Sequence, residues 1–107
     1  MRVPSDTFTV RVSRSTGTAR LRLTGRFDAA AVASLDALIG LVRQRDVTID
    51  LARITSMDSA GWLGVVAYER RVHDWGKEFR LENAPEHVRR IFELTATERL
   101  LAEPVGL

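Results

Sequence analysis

The stretch that decides the fold is ITSMDSAGWLG, residues 54–64. The run VTIDLARI (47–54) leads into it with the apolar alternation of a β-strand, and WLGVVAYERRV (62–72) leads out of it with helical periodicity. Two small polar residues, Asp58 and Ser59, stand at the junction. A helix that begins there presents unpaired backbone N–H groups and a partial positive charge. The sequence therefore places a carboxylate and a hydroxyl at a helix N-terminus.

Two interpretations of this junction remain open at the level of sequence. Asp58 or Ser59 can simply cap the helix, since both residue types accept N–H bonds readily. Alternatively, the small residues Ala60 and Gly61 leave the serine approachable for phosphorylation, at a strand end where sites are common in α/β sheets. A phosphate would add about −1.5 to −2 charges. The helix N-terminus would tolerate it while Asp58 would repel it, which favours a binding switch over an unfolding switch.

The segments before this junction predict a β-hairpin. TFTVRVSRS (7–15) alternates with Phe8, Val10 and Val12 on one face, and TARLRLTGRF (18–27) continues the alternation. A turn centred on Gly17 lies between them.

Three segments have helical periodicity. The first follows Asp28, a good N-cap, and the second runs from Ala60 to about Trp75 and stops at Gly76, a natural C′ residue. The third has Pro85 in its first turn. The apolar faces comprise Val32, Leu35, Ile39 and Val42 in the first helix and Val88, Ile91 and Phe92 in the third.

The order of elements is therefore ββαβαβα, with VTIDL (47–51) and EFRLEN (78–83) as the later strands and a short turn or helix in the fraying tail TATERLLAEPVGL (95–107). Strand–helix–strand units favour parallel pairing, whereas the hairpin adds an antiparallel pair. We expect an α/β fold with a mixed sheet of about four strands (N-terminal hairpin plus parallel strands) and three to four helices. The length of 107 residues fits a single domain, residues 1–107.

Composition excludes several classes of protein. There is no cysteine, so disulfides and thiolate chemistry are excluded. The start, MRVPSDTFTVRV, lacks the apolar core of a signal peptide, and no run approaches the ~20 apolar residues of a membrane span. We expect a cytoplasmic protein that does not contact the membrane.

The charge pattern argues against direct contact with nucleic acid. The net charge is only +2, and Lys77 is the sole lysine among the 16 basic residues. Basic and acidic residues are interleaved, as in YERRVHDWGKEFRLE (68–82), which is typical of a solvated surface. The aromatic residues are scattered rather than clustered for base stacking.

No catalytic constellation is evident. Met57 occupies the place of the first glycine of a Gly-x-Ser-x-Gly elbow around Ser59. His73 and His87 lie on predicted helices and lack metal-ligand spacing, and there is no phosphate-binding P-loop. Asp50 is more simply a polar strand position or a loop anchor than an acid catalyst. We expect no enzymatic activity, no metal and no cofactor.

The chain resembles a known family. VTIDLARITSMDSAGWLG (47–64) is similar to the signature of the STAS domain, as found in bacterial anti-sigma-factor antagonists, where a strand ending in Asp-Leu is followed by a loop and Asp-Ser-x-Gly. GRFD (25–28) is similar to the segment that opens the family's first helix, Gly76 to the glycine before its last main strand, and HVRRIFELT (87–95) to its last long helix. The resemblance spans nearly the whole chain and implies a STAS-like fold.

The resemblance also implies roles for individual residues. Ser59 matches the phosphorylated serine, Asp58 the acid beside it, and Gly61 the small residue that keeps the helix start open. Asp28 matches an acid on a neighbouring loop near the partner surface. The implied partner-binding residues are Asp28, Asp58, Ser59, Ala60, Gly61 and Trp62.

The function implied by the resemblance is a partner switch. The unphosphorylated form binds an anti-sigma factor, usually itself an ATP-dependent serine kinase, and so frees the sigma factor. Phosphorylation of Ser59 ends the binding, and a separate serine phosphatase restores it. We expect a monomer or weak dimer; the alternative is a non-enzymatic STAS subunit of a larger signalling assembly.

Three residues depart from the family pattern. Arg26 stands where glutamate is frequent, and Ala96 where a glycine is common. Trp62 replaces the usual aliphatic residue, and it is either a core-filling side chain or an exposed anchor for the partner.

Overall fold

The computed structural model describes residues 6–101. Its elements confirm the predicted order: β1 (Thr9–Ser15), β2 (Thr18–Phe27), α1 (Ala29–Leu41), β3 (Asp46–Met57), α2 (Ser59–Asp74), β4 (Phe79–Glu82), α3 (Glu86–Leu94) and a 3₁₀ turn (Glu98–Leu100). The predicted fraying of the tail concerns residues 102–107, and the signal-peptide argument partly concerns residues 1–5, so both lie outside the described residues.

The four strands form one mixed sheet in the order β1-β2-β3-β4. The predicted hairpin is confirmed, because β1 and β2 pair antiparallel and Ser15 faces Thr18 across the turn at Gly17. Strands β2, β3 and β4 run parallel to one another. The α/β class with a mixed four-stranded sheet and three helices is therefore as predicted.

The two faces of the sheet differ in polarity because successive side chains point to opposite sides. One face packs against the helices in a single core, which contains Ala19, Leu21, Leu23, Val47, Ile49 and Leu51 from the strands and Leu35, Ile39, Val65, Val72 and Phe92 from the helices. The other face carries charged and hydroxyl side chains such as those of Arg20, Arg22 and Arg80. The charged face of the sheet is therefore the one without helices.

Strand β3 is longer than its alternation predicts, because it continues through ARITSM to Met57 instead of ending near Leu51. Two register shifts make this possible: Arg22 pairs with Asp50 but Thr24 with Arg53, and a second shift follows Gly25. Each shift inserts an extra residue in β3, the signature of a β-bulge. As a result β2 and β3 end level with each other, at the pair Phe27–Met57.

The helix ends agree with the sequence to within a few residues. Helix α1 stops at Leu41, before the end of its periodic run, and α2 begins at Ser59 rather than Ala60. Gly76 has a φ of 75° and ends α2 as predicted, with its N–H bonded to the carbonyl of His73 at 2.9 Å. Pro85 precedes α3 at the N-cap position instead of lying in its first turn, and its carbonyl accepts the N–H groups of Val88 and Arg89. Among the described residues, no helix has the length and apolar character to cross a membrane.

Candidate functional site

Two helices begin side by side at one edge of the sheet. Phe27 and Met57 are the last pair of β2 and β3, and each is followed directly by an aspartate. Asp28 Oδ1 accepts the N–H of Ala31 at 3.0 Å, and Asp58 Oδ1 accepts the N–H of Gly61 at 2.9 Å. Each carboxylate thus caps its own helix through the third residue that follows it. The structure brings Asp28 and Asp58 to adjacent strand ends, as α/β topology favours for sites.

Ser59 is exposed at the first position of α2. Because Asp58 performs the capping, the helix does not require the Ser59 hydroxyl for that purpose. The hydroxyl stands in the first turn, where the positive end of the helix dipole favours an anion. An exposed hydroxyl that does not cap the helix is accessible for reversible modification. The capping interpretation by itself gives no reason for a serine at this position.

Gly61 faces inward. A Cβ on this residue would lie 2.2 Å from the carbonyl oxygen of Phe27 and 3.1 Å from Cγ of Met57. Only a glycine lets α2 approach the strand ends so closely. The small size of Gly61 therefore serves the packing of the helix against β2, in addition to any effect on access to Ser59. Ala60 beside it is half-buried.

Trp62 is half-buried and packs against the core. Its Nε1–H donates to Oγ1 of Thr97 at 3.0 Å, which ties the first turn of α2 to the segment after α3. In that segment Ala96 has a φ of 56°, a left-handed conformation that favours the glycine common in the family. Of the two interpretations of Trp62, the contacts favour packing and positioning over a fully exposed anchor.

An apolar residue missed by the sequence argument lies one turn beyond Ser59. Leu63 is 57% exposed and follows Ser59 by four residues on α2. Residues 59, 63, 66, 67 and 70 fall on one side of α2, since residues three or four apart are neighbours on a helix. Leu63, Val66, Ala67 and Arg70 line a shallow groove of about 720 Å³. The helical spacing from Ser59 was the signal that could have identified this side.

Arg26 lies near the other aspartate of the site. Its Nη2 donates to Oδ2 of Asp6 at 2.7 Å, and both side chains are exposed. Arg26, Asp6 and Asp28 line a cavity of about 490 Å³ at the start of α1. Arg26, which stands where the family often has glutamate, thus places a cation in the same cavity as Asp28. That cation is paired with Asp6.

The remaining titratable candidates lie away from Ser59 or are already bonded. His73 stands near the opposite end of α2, about 21 Å along the axis from Ser59 at the usual rise per residue. The ring of His87 is bonded through Nε2 to the carbonyl of Ile54 at 3.2 Å. His73 is therefore too distant to act as a general base for Ser59, and the His87 ring is engaged with the backbone of β3.

Asp50 is buried in mid-strand rather than at the strand end. Burial raises the pKa of this carboxyl, but bonds from the N–H of Ala52, from Asn83 and from Arg20 outweigh it and hold the pKa below its usual range. The distances are 3.0 Å to Ala52 N, 3.2 Å to Asn83 Nδ2 and 3.1 Å to Arg20 Nη2. Asp50 therefore joins β2, β3 and the end of β4 and is a structural carboxylate.

The family model for the Mlab STAS domain matches residues 10–102. The chain belongs to the STAS family. No curated protein is similar enough to this STAS domain in sequence to count as a match.

Solved structures share the fold at low identity. The anti-sigma factor antagonist SpoIIAA in its unphosphorylated form has a TM-score of 0.78 at 21% identity, with 94% of this chain and 90% of that chain covered. An anti-sigma factor antagonist from Mycobacterium paratuberculosis has a TM-score of 0.80 at 20% sequence identity, with 95% of this chain and 91% of that chain covered. The Bacillus cell fate determinant SpoIIAA in the phosphorylated form has a TM-score of 0.72 at 20% sequence identity, with 94% of this chain and 93% of that chain covered. These similarities establish the fold of the STAS domain.

Proposed function

We propose that this STAS domain is an anti-sigma-factor antagonist whose binding is switched off by phosphorylation of Ser59. The unphosphorylated protein binds an anti-sigma factor with serine-kinase activity and so releases a sigma factor, and a serine phosphatase reverses the modification. The domain itself acts by binding and not as an enzyme. The observation that carries the proposal is the exposed Ser59 in the first turn of α2, next to an aspartate that already caps the helix.

The physics of the site favours a change of surface over a change of fold. A phosphate on Ser59 would interact favourably with the helix dipole by about 0.3–1 kcal/mol. The Asp58 carboxylate lies on the preceding residue and would oppose it by like-charge repulsion. With these effects opposed, the helix survives while the exposed surface gains a double negative charge. A partner that accepts the neutral hydroxyl would then face a local dianion.

The docking surface that we propose extends from Ser59 along the exposed side of α2. Leu63 supplies an apolar contact one turn away, and Arg70 supplies a charge in the lining of the same groove. Asp28 adds a carboxylate at the neighbouring helix start, since it follows Phe27 of the strand pair Phe27–Met57. Binding interfaces depend on a few such anchors surrounded by polar contacts. SpoIIAA, which has this fold, exists in unphosphorylated and phosphorylated forms, which supports the switch.

The deciding experiment compares wild type with three serine variants. Each protein is used to capture partners from a lysate of the source cells, and the captured proteins are identified by mass spectrometry. We expect wild type, Ser59→Ala and the control Ser13→Ala to capture the same anti-sigma factor, and Ser59→Glu to capture much less. Ser13 is a suitable control because it is an exposed serine in β1.

The purified partner then tests the switch itself. With ATP it should add one phosphate to wild type and to Ser13→Ala, and none to Ser59→Ala. Wild-type binding should be lost on phosphorylation, whereas Ser59→Ala should stay bound. Phosphate on another residue, or equal binding by Ser59→Ala and Ser59→Glu after treatment, would refute the proposal.

A further inference from the structure

Three arginines from three adjacent strands converge on the helix-free face of the sheet. Arg11 lies on β1, Arg22 on β2 and Arg53 on β3. Together they border a cavity of about 430 Å³, which is lined by Thr9, Val10, Arg11, Arg22, Thr24 and Arg53. This cavity shares no lining residue with those beside Ser59 or Asp28, so it is a separate feature of the domain.

The positive charge of this cluster is only partly balanced. Arg11 and Arg22 are directly opposite each other in the β1–β2 ladder, an arrangement of like charges that destabilises a sheet. The Nε of Arg22 lies 3.6 Å from Oδ2 of Asp50, a carboxylate that Arg20 also contacts. Within residues 6–101, no carboxylate oxygen lies within 4.0 Å of Arg11 or Arg53.

A β-bulge positions the third arginine. Between Arg22 and Thr24 the strand β2 has one intervening residue, whereas between their partners Asp50 and Arg53 the strand β3 has two. The extra residue turns Arg53 to the charged face, opposite Thr24. The Asp50 carboxylate holds the bulge by accepting the N–H of Ala52, which lies inside it. Bulges commonly re-aim a side chain next to a functional site.

We propose that this cavity is a binding site for a phosphate group. Guanidinium groups bind phosphate oxygens through parallel charge-assisted hydrogen bonds, and three of them surround the cavity. Thr9 and Thr24, which pair across β1 and β2, add two hydroxyl donors at its border. An anion here would offset the repulsion between Arg11 and Arg22. The inference is independent of the proposed function, because none of its residues belongs to the surface around Ser59.

The test is a calorimetric titration of the folded domain with pyrophosphate at low ionic strength. We expect saturable binding with one site, and a loss of affinity of about tenfold for Arg53→Gln and for Arg11→Gln. The matched control is Arg14→Gln, since Arg14 is an exposed arginine of β1 that pairs with the core residue Ala19 and lies outside the cavity. Its affinity should equal that of wild type.

A second experiment distinguishes a lipid headgroup from a soluble phosphate compound as the ligand. Sedimentation with phosphatidylcholine vesicles, with and without phosphatidic acid, is measured for the same variants. If the protein binds phosphatidic acid vesicles in an Arg53-dependent way but does not bind pyrophosphate, the site is for a lipid headgroup. If it binds pyrophosphate in an Arg53-dependent way but does not bind the vesicles, the site is for a soluble phosphate compound. Binding in neither arm, or equal loss in Arg14→Gln and Arg53→Gln, would overturn the proposal.

Discussion

The carbonyl oxygen of Phe27 lies only 2.2 Å from the point where a side chain at residue 61 would place its Cβ. Phe27 ends β2 and Gly61 lies in the first turn of α2, so this approach fixes the start of the helix against the strand end. The position of Ser59 thus depends on a backbone contact two residues away.

Gly61→Ala should therefore destabilise the domain. The added methyl meets the backbone carbonyl oxygen of Phe27, which cannot rotate away, and overpacking of this kind costs about 1–3 kcal/mol. Urea denaturation measures the change in the free energy of unfolding. The matched control is Gly40→Ala in α1, where the nearest atom would be Arg71 Nη2 at 3.8 Å. That variant should be neutral or more stable by up to about 1 kcal/mol, and equal effects of the two substitutions would contradict the packing role of Gly61.

Asp58 and Ser59 should contribute very differently to stability. Because the Asp58 carboxylate accepts the N–H of Gly61, Asp58→Ala should lower the free energy of unfolding by about 1 kcal/mol. Ser59→Ala should stay within about 0.5 kcal/mol of wild type. Thermal unfolding of the two variants provides the measurement. A larger loss for Ser59→Ala than for Asp58→Ala would mean that the serine is the cap and would weaken the switch proposal.

Leu63→Ala should weaken binding to the proposed anti-sigma-factor partner without loss of stability. The side chain is 57% exposed, so its removal leaves the core intact, while a central apolar anchor contributes more than about 1 kcal/mol to an interface. Surface plasmon resonance with the captured partner should show an affinity about tenfold lower. Leu94→Ala is the control, because Leu94 is 80% exposed at the end of α3. Equal affinity of the Leu63 and Leu94 variants would remove α2 from the docking surface.

Asp50 should make the domain sensitive to acid. Its carboxyl pKa is lower in the folded protein than in the unfolded chain, so the folded state prefers the ionised form. This contribution is fully present above the unfolded value of about 4, and it is lost as the pH falls through the folded pKa.

Asp50→Asn tests that linkage. Asp50 is 4% exposed, and its carboxylate accepts hydrogen bonds from charged and neutral donors. The substitution should therefore lower the free energy of unfolding by about 2–3 kcal/mol near neutral pH. The difference between variant and wild type should shrink as the pH falls below about 4. Urea denaturation across the pH range measures it, and a difference that stays constant or grows in acid would contradict the assigned ionisation.

Local sequence determined the elements and the two polar junctions. The alternation in 18–27 fixed which side chains of β2 face the core, and the aspartates at 28 and 58 marked the helix starts that they cap. Gly76 marked the end of α2. These features depend on periodicity and capping within a few residues, so the chain carries them before any distant contact forms.

Tertiary structure alone decided the rest. The bulges that extend β3 to Met57 depend on its register with β2, and Trp62 finds Thr97 at a separation of 35 residues. Arg11, Arg22 and Arg53 meet only because three strands align, and Gly61 is needed only because Phe27 lies beneath it. Such contacts arise between segments that are far apart in the chain. Their geometry is set by the pairing of whole elements, so no local sequence pattern predicts it.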